Sequence, residues 1–167
     1  MYKKDNRTFN EKLEIGNKKE DELVEILNWC GIPARINNKE NVRDIDIELT
    51  YDDMFVDCKL VETPFYKSKQ YVNIDPDKCL PMNVSHIQAY DKKEKATGKK
   101  CWVAFFVNFK DFNVRELIFI PNSQLVYLVN NGLIKAHNDK VSFSREIGRD
   151  VYSFLDYVKQ LRKINKK

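Results

Sequence analysis

The stretch Asp44-Ile45-Asp46-Ile47-Glu48-Leu49-Thr50-Tyr51-Asp52-Asp53-Met54-Phe55-Val56-Asp57-Cys58-Lys59-Leu60-Val61 decides how the chain is read. Its first six residues alternate polar and apolar with period two, the pattern of a strand buried on one face. Residues 54–61 form a second extended run, and Tyr51-Asp52-Asp53 separates the two, so the stretch predicts a β-hairpin. With Asp52-Asp53 as the turn, Ile45 faces Leu60, Ile47 faces Cys58 and Leu49 faces Val56. All the apolar residues then share one face, and a one-residue slip would scramble them. The other face collects Asp44, Asp46, Glu48, Asp57 and Lys59, with Glu48 across from Asp57 and Asp46 across from Lys59. Like charges directly opposed on a sheet repel. This face therefore calls for a compensating cation, either Lys59 or a bound metal ion. Asp-Asp also lacks the glycine that a two-residue turn prefers.

Around the hairpin, residues 17–30 read as a helix, with Asn17 as cap, Leu23, Val24, Leu27 and Cys30 as the apolar stripe, and Gly31 and Pro33 as its end. Glu20 lies in line with that stripe; equally, Asn17-x-x-Glu20 has the spacing of a capping box. Residues 32–36 suit a short strand, and 62–80 look irregular. A helix is expected over 83–95, and the apolar run 101–107 suits a central strand buried on both faces. A strand over 116–120, a short helix over 123–131 and a final helix opening at Asp150 follow. The expected fold class is α/β, one domain over 1–167 with an αβββαβ core at 14–108 and a β-α-α extension at 109–167.

The chain has 167 residues, 29 Lys and Arg against 25 Asp and Glu, and a net charge of +4. That size and balance suit an ordinary folded domain and exclude a disordered one. Only five glycines are present, and no phosphate-binding glycine loop or G-x-S-x-G motif occurs. Cys30, Cys58, Cys79 and Cys101 make no C-x-x-C pair, and His86 and His137 stand alone, which argues against zinc. No apolar run approaches a membrane span, and residues 1–7 do not resemble a secretory leader, so a cytoplasmic protein without a membrane partner is expected.

Chemistry returns to the hairpin acids. A hard divalent ion such as Mg²⁺ takes oxygen ligands and needs only one or two carboxylates besides water and phosphate. An adjacent ammonium orients water or stabilises charge on a phosphate. Asp46, Asp57 and Lys59 supply these groups. Asp46 followed eleven residues later by Asp57-Cys58-Lys59 resembles the D…(D/E)-x-K signature of the PD-(D/E)XK nucleases, and the order of expected elements over 14–108 agrees. The pattern looks most like small Holliday-junction-resolvase-like members.

The resemblance implies a restriction-endonuclease-like fold, with a mixed central sheet flanked by helices, and a Mg²⁺- or Mn²⁺-dependent DNA endonuclease of repair, recombination or defence. Asp46, Asp57, the Cys58 carbonyl and Glu20 would then serve the metal, and Lys59 the attacking water. Asp44 competes with Asp46, Glu48 is a further alternate, and Gln88 matches a supporting position on the following helix. Two departures stand out: no proline precedes Asp44 or Asp46, and the second acid is Asp where Glu is commoner. Lys67 and Lys69, near Tyr66, suit contact with a nucleic-acid backbone and its bases. The lysine clusters at 92–100 and 159–167 read as solvated helix ends. The aromatic-rich final third suits a homodimer surface as readily as core. The rival reading is an inactive nucleic-acid-binding or protein-interaction module on the same fold, such as a phage-encoded inhibitor.

Overall fold

A computed structural model describes residues 5–37, 45–134 and 136–166, the side chains of 136 and 137 excepted. Asp44 therefore lies outside the described residues. The first helix, α1 (Phe9–Trp29), starts eight residues earlier than the apolar stripe indicates. Thr8 caps it and Glu11 closes the capping box, so Gly16, Asn17 and Glu20 lie inside the helix. The capping-box reading of Asn17 and Glu20 is thereby replaced by the same device one helical stretch upstream. Leu23 and Leu27 are the residues α1 buries.

The main sheet runs β1 (Ala34–Ile36), β2 (Ile47–Leu49), β3 (Met54–Val61), β5 (Lys100–Phe109) and β6 (Val114–Pro121) from edge to edge. Only the central pair, β3 and β5, is parallel. The crossover between them carries α2 (Ser68–Val72), β4 (Cys79–Asn83) and α3 (Val84–Thr97). Residues 62–80 are therefore not irregular: they contain a short helix and the start of a second sheet. The C-terminal third adds α4 (Asn122–Asn130), β7 (Ala136–His137), β8 (Lys140–Ser144) and α5 (Val151–Asn165). The expected β-α-α extension thus lacked two strands. β8 pairs with β4 and β7 to make the second sheet. Short strands such as β7, formed against a distant partner, leave little periodicity to read.

Two cores flank the main sheet. On one side Phe55, Val103, Phe105 and Val107 pack with Leu80, Tyr90 and Phe143. On the other, Val56, Trp102, Ala104 and Phe106 pack with Leu23 of α1 and Phe154 of α5. Alternate residues of β5 serve opposite cores, as the unbroken apolar run requires. The observed fold class is mixed α/β, a mixed central sheet flanked by helices.

The hairpin register differs from expectation by two residues: Ile47 pairs with Val56, Glu48 with Phe55 and Leu49 with Met54. The cause is the turn. Four residues, 50–53, make the reversal, and Asp53 takes a left-handed conformation at φ 52°. Asp52 is drawn into a bidentate pair with Arg162 of α5, at 2.7 and 2.8 Å. A shift of two preserves the faces of a strand while changing every partner.

Asp52's side chain is 3% exposed, so Arg162→Ala strands a charge. Because Arg162 itself is about a quarter exposed, urea unfolding should show a loss of about 2 kcal/mol, below the range for a fully enclosed pair. The double variant Asp52→Ala/Arg162→Ala should lose less than the single one, since no unpaired carboxylate remains.

Candidate active site

Strand β3 presents Phe55 to one core and Val56 to the other. Asp57 follows in the same alternation, and its side chain is 2% exposed. Lys59, two residues on and on the same face, places Nζ 2.7 Å from Asp57 Oδ2 at 29% exposure. That Oδ2 atom is buried and has no well-aligned hydrogen bond; its contact with Lys59 is an ion pair.

Asp46 reaches the site by a break in the hairpin. Pairing of β2 with β3 ends at Ile47–Val56, and the chain bends at Asp46. Ile45 then enters the core lined by Phe55 and Tyr90, whereas Ile47 enters the opposite one. The alternation had placed both on one face. It is corrected because the strand ends between them. Asn37 holds the bend: its backbone N–H donates to the Asp46 carbonyl at 2.8 Å and its side-chain amide to the Ile45 carbonyl at 3.1 Å. The Asp46 carboxylate then takes the ladder position that backbone would have filled, accepting the Cys58 N–H at 2.9 Å through Oδ2.

Burial most strongly pushes the Asp57 carboxyl up, to about 7, from an ordinary 3.8. Lys59 pulls the other way, while the charge of Asp46 and its hydrogen bond with Asp57 add to the rise. Two carboxylates this close resist joint ionisation unless a cation joins them. Burial also pushes the Cys58 thiol up, and the charges of Asp46, Asp57 and Glu20 add to that. Cys58 is therefore held as a thiol rather than a thiolate.

Glu48 stands apart. It faces Phe55 in the ladder and pairs with Arg35 at 2.8 Å and Lys99 at 3.3 Å. Those partners, Arg35 first, hold its carboxyl below the usual range. Glu20 is partly buried and its charge is felt at Cys58, whose side chain packs toward the α1 core. No three or more His, Cys, Asp or Glu among the described residues group as a metal site, and Glu20 stands near enough for its charge to act on Cys58 beside those of Asp46 and Asp57. The Asp46–Asp57 pair suits a hard divalent ion, which takes oxygen ligands and needs few carboxylates.

Gln88 is exposed on α3. Two residues along a helix turn about 200°, so Gln88 and Tyr90 face opposite ways. Tyr90 is the residue the sequence reading missed. It is 4% exposed, and its hydroxyl is pushed up by burial first, then by the charge of Asp57 and a hydrogen bond with it. Its ring lies 6.1 Å from that of His86, one turn earlier. The i, i+4 spacing of His86 and Tyr90 was the available signal. Asn37, placed just after a short strand, carried none. Of the residues expected to meet nucleic acid, Tyr66 hydrogen-bonds Asp111, Lys69 pairs with Asp75 at 3.2 Å, and Lys67 is exposed.

Because Asp57 binds its proton more tightly folded than unfolded, its contribution to stability is present at pH 4 and declines as pH rises toward 7. Thermal melts in EDTA should show the Tm of Asp57→Asn gaining on wild type across that window. A constant difference would mean that Asp57 is not buried as described.

The sequence matches no family model and no curated protein. Among solved structures it is similar to a Holliday junction resolvase from Archaeoglobus fulgidus, an archaeal hyperthermophile, at 11% identity and a TM-score of 0.56. That match covers 85% of this chain and 96% of the resolvase. A nuclease from a fusselovirus is similar at 11% identity and a TM-score of 0.53, covering 91% of this chain and 96% of the viral one. These identities establish shape alone. The shape is the one the hairpin signature led us to expect: the chain has a restriction-endonuclease-like fold, a mixed central sheet flanked by helices, similar to that of the resolvase.

Proposed function

We propose that the protein is a divalent-metal-dependent nuclease that hydrolyses DNA phosphodiester bonds at Asp46, Asp57 and Lys59. The observation that carries this reading is the buried Asp57 carboxyl set beside a second carboxylate and an ammonium, with Lys59 Nζ 2.7 Å from its Oδ2. Burial and the neighbouring carboxylate both work against an ionised Asp57, and a bound cation reverses that balance. When bound, Mg²⁺ or Mn²⁺ supplies Lewis-acid stabilisation of a phosphoryl oxygen and a more acidic water.

The chain's own residues do the rest. Asp46 and Asp57 hold the ion, with the Cys58 carbonyl as a further donor and Glu20 acting through the water shell. Lys59, nearly a third exposed, is free to follow the substrate: it positions the attacking water or meets charge growing on the phosphate. Tyr90 and Asn37 are positioning residues, one for the Asp57 carboxylate and the other for the bend at Asp46. Lys67, Lys69 and Tyr66 are the nearest candidates to follow the DNA strand. Repair, recombination or defence against foreign DNA is the setting this activity suits. The four cysteines are free thiols, which fits a reducing compartment such as the cytoplasm.

Purified protein should cut DNA in Mg²⁺ or Mn²⁺ and not in EDTA, in a panel of plasmid, linear, single-stranded, four-way-junction and RNA substrates. Asp57→Ala and Lys59→Ala should each lower cleavage by about 10²–10³-fold or more while still unfolding in a cooperative melt. Wild-type rates in both variants would overturn the site. Calorimetric titration with Mn²⁺ separates an inactive binding module, which would show no uptake dependent on Asp46 and Asp57.

Tyr90→Phe should lower kcat by about tenfold with KM unchanged, the loss of one hydrogen bond to a charged group. A purely structural tyrosine would instead shift the melt and leave kcat as it was.

A further inference from the structure

Strands β3 and β5 are parallel neighbours, so the segments leaving their C-terminal ends emerge side by side. One carries Phe65, Tyr66 and Lys67; the other is the 3-10 turn Lys110–Phe112. The Tyr66 hydroxyl donates to Asp111 and so ties the two together. The Tyr66 and Phe112 rings meet at 6.1 Å, at 38% and 39% exposure. Beside them Phe65 stacks on Tyr71 at 6.0 Å and 11°, and Tyr71 is 58% exposed.

This surface is built, not frayed. Ser68 closes the loop through its N–H to the Phe65 carbonyl (2.9 Å) and its hydroxyl to the Ile74 carbonyl (2.7 Å). Asp75 and Asp111 are committed to Lys69 and Tyr66, and Lys67 and Lys110 are exposed with no ion-pair partner among the described residues. Asp57 lies four residues before the end of β3, about 13 Å along the strand.

We propose that Tyr66 and Phe112 form a stacking platform for unpaired nucleotides, so that the substrate of the neighbouring site is DNA with a single-stranded segment, such as a tail, flap or opened junction arm. The proposal rests on the nuclease reading and narrows its substrate class. Bases in a continuous duplex keep their faces against one another and offer none to a protein ring. Unpaired bases offer both, and stacking tolerates any sequence. Lys67 and Lys110 meet the phosphates of the same strand, and the tie between Tyr66 and Asp111 holds the rings in place before binding.

The test is fluorescence anisotropy in EDTA with three labelled DNAs of one sequence: a single strand, a blunt duplex, and that duplex with a single-stranded tail. The single strand and the tailed duplex should bind about tenfold more tightly than the blunt duplex. Phe112→Ala should remove most of that preference and Phe112→Trp should keep it. Phe112→Leu preserves apolar bulk, and hence the fold, but should behave like Phe112→Ala. Equal binding of blunt and tailed DNA would overturn the proposal, as would a wild-type preference in Phe112→Leu. Failure to bind any of the three would also overturn it. Because no metal is present and no bond is cut, the tail preference is scored apart from cleavage in Mg²⁺ or Mn²⁺. Its loss is thus distinguishable from failure of the nuclease reading.

Discussion

The hydrogen bond from the Cys58 N–H to Asp46 Oδ2, at 2.9 Å, marks where the sheet gives way to chemistry. A backbone donor inside a fold must find a partner. At Cys58 the neighbouring strand has already ended, and a carboxylate fills its place. The substitution brings Asp46 against Asp57, which burial between two cores has already made unwilling to ionise alone. Lys59 follows at the next position on the same face. Breaking the ladder one residue later would leave Asp46 as an ordinary strand residue, with its side chain set by the pleat.

The surrounding structure keeps that break in place. Asn37 holds the bend from one side, and Ile45 anchors it in the core that contains Tyr90. At the other end of the hairpin, Arg162 grips Asp52 and sets the four-residue turn that determines the register. A residue in the last helix therefore helps decide which acids meet in the site. The C-terminal third also supplies β6 to the main sheet and β8 to the second one. These residues build the fold that holds the chemistry.

Charge shows the same division of labour. Glu48 and Asp52 are spent on structural pairs, with Arg35 and Lys99 for the first and Arg162 for the second. Asp57 keeps its ion pair with Lys59 inside the site. The net charge of +4 conceals this arrangement, because pairing removes structural acids from the field while the site acids remain concentrated.

By itself the sequence determined the elements with strong periodicity and the residues of the signature. Strand 54–61, the buried run around 101–107 and the closing helix from Asp150 were legible, since each carries a full pattern of buried and exposed positions. Asp57 and Lys59 were legible for the same reason: their place in the alternation sets their face. Tertiary structure alone decided the register, the start of α1, the second sheet, and the turning of Glu48 and Gln88 away from the Asp46–Asp57 pair. It alone brought in Tyr90 and Asn37. The physical reason is range: periodicity reports which face a residue shares with near neighbours, whereas a turn gripped by a distant arginine and a strand end filled by a side chain depend on groups far apart in the chain.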